Sequence, residues 1–284
     1  LARAARRRYK KRMIALPIAR LAGAALFFAL PSAADADASD WARGAKSAAR
    51  LVSAGGPARD GALRAGLEIR LQPGAITYWR HPGDAGAPPV FDFSASENLA
   101  GAEPVYPAPK RIPEAGAEAF GYDRDVIFPL RVRASDPGKP VRLKLKLDYA
   151  ACEKLCIPEQ ATLELTLTPG VAPAGEAGAI ANFEALAPTA WAGAPPRATR
   201  VAGAAKPTWV VAPPFAPAPG GDLFAEGPEG AFLDARRRAD GGFDLVLDQK
   251  APDMGDVFEA RLTRTAPEGA HEIMLRLDAG AAKP

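Results

Sequence analysis

A chain of 284 residues, 48% hydrophobic and 24% charged, has room for two domains of ordinary soluble composition, and its 29 prolines and 27 glycines speak against a helical bundle and for many short strands joined by turns. The net charge of +3 is carried by the first 38 residues, where eight Arg and Lys side chains face only Asp35 and Asp37; the rest of the chain has 28 bases against 31 acids. That balance excludes a nucleic-acid-binding surface, which needs a clustered basic face.

Residues 1–12 are strongly basic, residues 13–30 are mostly apolar, and small residues with Ala-x-Ala spacing follow. This is the pattern of a secretory signal peptide over residues 1–38, with cleavage expected after Ala38. Its longest uninterrupted apolar run, Leu21 to Leu30, is too short to cross a bilayer. Met13 is a candidate start, and Arg6-Arg7-Arg8 has a faint twin-arginine look. No later segment is apolar enough to span a membrane, so the mature protein is expected to be exported and soluble.

A helical or strand stretch is expected around Ala42 to Ala54. Leu67-Glu68-Ile69-Arg70-Leu71 alternates apolar and polar residues, which is strand periodicity, and Pro73-Gly74 closes that strand. Ile76 to Trp79, Val90 to Phe93 and Val105-Tyr106 read as further short strands, His81 to Pro89 and Pro107 to Gly121 as loops. Asp125 to Arg133 is apolar enough for a strand, which Pro129 assigns to an edge or a bulge. The clearest strand is Val141 to Tyr149, whose Val141, Leu143, Leu145, Leu147 and Tyr149 alternate with Arg142, Lys144, Lys146 and Asp148. Leu163, Leu165 and Leu167 repeat the pattern, predicting an antiparallel pair around the intervening loop. So many short strands with turns between them predict an all-β fold: an immunoglobulin-like β-sandwich over residues 39–170. An Ala/Gly/Pro-rich linker with one short helix (Glu176 to Leu186) follows over 171–196, and then a second, smaller β-rich domain over 197–284.

The only two cysteines, Cys152 and Cys156, fall in the loop between the two clearest strands. As a structural staple, the pair closes a loop of about five residues, for which the chain-entropy estimate is about 2 kcal/mol before strain. As a metal site, it has only two thiolates, with His81 and His271 as the histidines that could join them. As a redox couple, it suits an oxidising compartment and an exposed loop that can change state without unfolding its domain. Lys154 favours a thiolate and Glu153 opposes it.

Asp148-Tyr149-Ala150-Ala151-Cys152-Glu153-Lys154-Leu155-Cys156-Ile157-Pro158, preceded by Tyr78-Trp79-Arg80-His81-Pro82-Gly83-Asp84, Ser96-Glu97-Asn98 and Tyr106-Pro107-Ala108-Pro109-Lys110-Arg111, resembles the periplasmic N-terminal domain of the DsbD family, in particular its stand-alone and ScsB-like versions. The resemblance covers about residues 50–168. It implies an immunoglobulin-like fold, a periplasmic location and no cofactor. It also implies a relay in which a membrane-embedded DsbD- or CcdA-like thiol reductase reduces the pair, and the pair reduces periplasmic thioredoxin-fold proteins. Carried over by position, Cys156 forms the mixed disulfide and Cys152 resolves it, with Tyr149 and Pro158 as supporting residues. The family covers its cysteines with an aromatic-tipped loop, for which Phe120 and then Tyr122 are the candidates here. DsbD proper has a wider cysteine spacing, and the membrane reductase is expected to be a separate polypeptide. The alternative, from another class, is a non-catalytic periplasmic binding or copper-tolerance module whose cysteines are a staple or metal ligands.

Overall fold

In a computed structural model of the chain, the described residues are 37–280 apart from 58–60, 85, 115, 173–174, 213–214 and 216–219. The expected leader therefore lies outside them up to residue 36. Eleven strands come first: β1 (Ala42–Arg43), β2 (Ser47–Pro57), β3 (Leu63–Leu71), β4 (Ile76–Gly83), β5 (Val90–Asp92), β6 (Leu99–Pro104), β7 (Lys110–Glu114), β8 (Ala117–Tyr122), β9 (Val126–Ala134), β10 (Val141–Cys152) and β11 (Cys156–Leu167). One helix among the described residues, α1 (Ala177–Ala185), is followed by β12 (Thr189–Ala190), β13 (Ala198–Arg200), β14 (Thr208–Val211), β15 (Asp222–Glu226), β16 (Phe232–Arg237), β17 (Phe243–Gln249), β18 (Val257–Ala266) and β19 (Gly269–Asp278).

The first eleven strands form two facing sheets, ordered β1-β2-β3-β9-β6 and β11-β10-β4-β8-β7, with β5 also paired to β10. Alternation puts Val141, Leu143, Leu145, Leu147 and Tyr149 of β10 and Leu163, Leu165 and Leu167 of β11 on the inner face. There they meet Leu51, Leu67, Ile69, Phe128 and Leu130 of the facing sheet, with Trp79 fully enclosed between them. This is the layered burial of a sandwich, in which each strand contributes every second side chain. Pro129 lies in β9, an interior strand rather than an edge. A residue's N and O point to the same side of a strand, and the Pro129 carbonyl takes the Val105 N–H (2.7 Å) just past the end of β6. The missing proline N–H thus falls where no ladder continues.

Of the two forms expected around residues 42–54, the strand is the one present, in β1 and β2. Two local expectations are corrected. Val105 and Tyr106 are not a strand; β6 ends before them, and the Tyr106 ring packs from a coil against Phe128 (5.4 Å between centroids). Residues 107–121 are not one loop, because β7 and β8 form a hairpin within them.

Two further four-stranded sheets, β12-β19-β18-β15 and β13-β14-β17-β16, enclose a second core around Trp209, Phe215, Phe243, Phe258 and Leu262. Phe224 of β15 leaves that core and is fully buried in the first one. Its ring stands 4.9 Å from Phe120 and 5.8 Å from Trp79, both edge-on. Arg80 pairs with Glu226 (2.7 Å) and with Glu272. Arg111 donates to Asp222 (3.1 Å) and to the Leu223 and Ala235 carbonyls (both 3.0 Å). Helix α1 sets Ile180 against Val52 and Ile127 on the outside of the first sheet.

Candidate functional site

The two cysteines are the last residue of β10 and the first of β11, directly opposite one another with Cα atoms 4.0 Å apart, and they form a disulfide. Their hairpin turns through Glu153, Lys154 and Leu155. Inner positions run from Val141 to Ala151 in steps of two, so Cys152 falls on the outer face, where it is 1% exposed. It is covered because β10 is interior at that point, paired with Cys156 on one side and Ile76 of β4 on the other. Cys156, on the edge strand, is exposed. One sulfur is therefore buried and the other open to a partner.

Two side chains join the sulfurs. Tyr78 of β4 lies on the same outer face, in a small cluster with Ala119, Ala150 and Cys152. Its hydroxyl is 2.7 Å from the Cys152 sulfur and 3.3 Å from that of Cys156. It is also placed to donate to the Glu114 carboxylate, at 2.8 and 2.9 Å. Glu114, at the end of β7, has Oε1 3.0 Å from the Cys156 sulfur. Burial first, and then the hydrogen bond and charge of Glu114, hold the Tyr78 hydroxyl protonated well above the ordinary phenol range.

Backbone geometry brings these groups together. The Thr77 hydroxyl donates to the Ala150 carbonyl (2.9 Å), fixing β4 to β10 beside Cys152. Gly121 of β8 faces Tyr78, and a Cβ there would fall 2.1 Å from the Thr77 carbonyl oxygen, so only glycine lets β8 approach this closely. Gly86 lies flat against the Tyr78 ring in the same way. β7 then follows β8 in register, with Glu114 opposite Ala117. On the other face of that hairpin, Arg111 and Phe120 are opposite each other and make the contacts to Asp222 and Phe224 described above.

The proposed cap residues are elsewhere. Phe120 is 3% exposed and points into the sandwich, against Phe224 and, at 5.7 Å, His81. Tyr122 is buried beside Phe128 and donates to the Pro107 carbonyl (2.8 Å), and burial raises its hydroxyl well above the ordinary range. In β8, Ala119 faces Cys152, and its neighbour Phe120 therefore faces the opposite way. No aromatic residue stands between Glu114 and Ala117 in the sequence.

Tyr149 is also on the inner face. Its hydroxyl meets that of Ser47 (2.7 Å), which reaches the buried Glu159, and Glu159 accepts from the Lys46 N–H (2.7 Å). This network ties the cysteine hairpin to β2. Pro158 is exposed, opposite Ala150. In the turn, Glu153 is paired with Lys46 (2.6 Å), a bond that holds its carboxyl below the ordinary range, so its charge is compensated by a residue other than Lys154.

Neither histidine joins the sulfurs. His81 is packed between Phe120 and Phe232, and His271 meets the Thr189 hydroxyl (3.0 Å) and the Trp191 ring. Among the described residues, the metal-type donors that converge are Glu114, Cys152 and Cys156, with ligand atoms within 4.8 Å of one another.

Residues 47–168 match the family model described as thiol:disulfide interchange protein DsbD, N-terminal. The fold is similar to the crystal structure of the N-terminal periplasmic domain of ScsB from Proteus mirabilis, at 18% identity and a TM-score of 0.67, covering 86% of this chain and 99% of that one. No curated protein matches the sequence. The matched segment spans β2 to β11 and contains Tyr78, Glu114 and both cysteines. Over residues 47–168 the chain is thus similar to the N-terminal domains of DsbD proteins.

Proposed function

We propose that this chain is a periplasmic protein-disulfide reductase that takes electrons from a membrane-embedded DsbD- or CcdA-like thiol reductase. It passes them to periplasmic thioredoxin-fold proteins through Cys152 and Cys156. The observation that carries the reading is the asymmetry of the pair: the Cys152 sulfur is buried and the Cys156 sulfur is exposed, both on a hairpin anchored to a sandwich. The match of residues 47–168 to that family model and the similarity of the fold to a periplasmic domain support it. No helix among the described residues is long and apolar enough to cross a membrane, and a separate membrane partner fits this.

In the forward step the Cys156 thiolate attacks a partner disulfide, a mixed disulfide forms, and one partner thiolate leaves. The Cys152 thiolate then attacks the Cys156 sulfur, closing the intramolecular disulfide and releasing the second partner thiolate. Two electrons and two protons pass to the partner in total. The exposed sulfur is the one a partner can reach, and the buried one is already opposite it. Glu114 contributes through charge: a carboxylate beside Cys156 disfavours thiolate and so biases the couple towards the disulfide, the state in which its electrons have been given up. Tyr78 keeps a protonated hydroxyl between the Glu114 carboxylate and the two sulfurs.

Trapping tests the reading. Cys152→Ala produced in periplasm containing thioredoxin-fold proteins is expected to accumulate reducible adducts through Cys156, and Cys156→Ala to accumulate far fewer. Equal trapping by the two variants, or none by either, would overturn it.

A further inference from the structure

We propose that the reduced pair and Glu114 together form a site for one thiophilic divalent cation, with Zn²⁺ as its natural probe. The three donors come from β10, β11 and β7, and all lie on the outer face of one sheet within 4.8 Å of one another. Two thiolates and one carboxylate are a borderline-soft set: thiolate sulfur selects against Mg²⁺ and Ca²⁺, which take oxygen ligands, and the carboxylate makes the set harder than the all-sulfur sites that favour Cu(I). Zn²⁺ accepts this mixture in tetrahedral geometry. Three protein ligands leave a fourth position, to be filled by water.

The surroundings suit a preformed site. Cys152 is fixed by strands on both sides, and Glu114 stands on a hairpin held from behind by Arg111 and Phe120. Tyr78 orients the carboxylate through its hydroxyl, the role an outer hydrogen bond plays for a metal ligand. Cys156 is exposed and leaves an entry path.

The chemistry balances without a redox partner at the binding step. A thiol reductant first opens the disulfide with two electrons and two protons; the cation then displaces the two thiol protons, and no electron moves. Because the same two sulfurs make either the disulfide or the metal bonds, the cation and the disulfide exclude one another. The site does not depend on the relay: binding by metal titration and exchange by partner trapping are read separately.

The test uses the full chain, reduced with a phosphine and titrated with Zn²⁺ against a chromophoric chelator. One ion per chain is expected, with binding lost on oxidation. Glu114→Gln is expected to weaken binding at least tenfold while leaving the strand signature in circular dichroism unchanged, and Cys156→Ser to abolish it. Co²⁺ in place of Zn²⁺ should give thiolate charge-transfer absorption with the intense visible bands of a tetrahedral site. Binding below one ion per chain, or Glu114→Gln binding as tightly as the parent, would overturn the assignment, the latter by reducing the site to an ordinary dithiol.

Discussion

Glu114→Gln is the most informative single substitution, because it removes a charge and keeps the shape. In a Cys152→Ala background only the Cys156 thiol remains, and Glu114 Oε1 lies 3.0 Å from that sulfur in the disulfide form. Across this separation the repulsion between a carboxylate and a thiolate, 332/(εr), is about 1.4 kcal/mol even at the dielectric constant of water. That corresponds to about a tenfold smaller thiolate fraction, and the half-buried position of Glu114 can only enlarge it. At pH 6 to 7, below the ordinary thiol range, alkylation by iodoacetamide follows the thiolate fraction. The variant is therefore expected to react about tenfold faster or more at low ionic strength, with the ratio narrowing in ~1 M salt as screening shortens the reach of the charge. Rates followed by intact-mass spectrometry decide it. Equal rates within about twofold, or a slower variant, would refute the electrostatic role given to Glu114.

Leu155, at the hairpin tip beside Cys156, is 73% exposed. Leu155→Asp is expected to slow exchange with a thioredoxin-fold protein about tenfold and leave reduction by a small dithiol unchanged; parallel loss of both rates would count against a docking role. Phe224→Ala removes a fully buried ring from the first core and is expected to cost about 3–5 kcal/mol. Urea denaturation should show the loss in the signals of both β-regions; if only the second region is affected, the shared core is not coupled. His81 is held below the ordinary histidine range, first by burial and then by Arg80, against the opposing pull of Glu226, Asp234 and Asp84. The unfolded state therefore binds the proton more readily, and the contribution of His81 is fully present above the unfolded value of about 6.5 and lost as pH falls from there towards the lower folded value. The fall in urea midpoint between pH 7.5 and 5.5 should be shallower in His81→Gln, and an unchanged slope would remove His81 as its cause.

The alternating run from Val141 to Tyr149 and its echo at Leu163 to Leu167 were enough to place the cysteines between two paired strands, since burial of one face imposes the period directly. The all-β class followed from the same local signal repeated along the chain. What could not be read was whatever depends on distant pairing. Tyr78 and Glu114 are 36 positions apart, and they reach cysteines 74 and 42 positions away from them respectively; no local pattern marks either as a site residue. The β7–β8 hairpin was hidden by composition. Pro107, Pro109 and Pro113 with Gly116 and Gly121 read as loop, yet β7 is an edge strand, where a proline is tolerated, and Gly121 is there for close strand approach rather than for a turn. Phe120 was drawn to the cysteines by the family's aromatic cap. One step along the strand reverses its face and delivers it to Phe224 instead.

The contact of Phe224 and Arg111 across the two β-regions bears on how this protein can be cut or recombined. The segment that matches the family ends at residue 168, but the core of that segment does not. A truncation there would remove Phe224 from among Trp79 and Phe120, lift Ile180 from Val52 and Ile127, and leave the Arg111 guanidinium without Asp222 and two carbonyl acceptors. An apolar hollow would open directly beneath the hairpin that presents Glu114, and the Arg111 guanidinium would keep only Glu118 as its ion-pair partner. The unit that can be moved between proteins as a folded piece thus extends at least through β16, well past the unit that sequence kinship outlines. A chimera joined at the family boundary would need to carry its own replacement for β15.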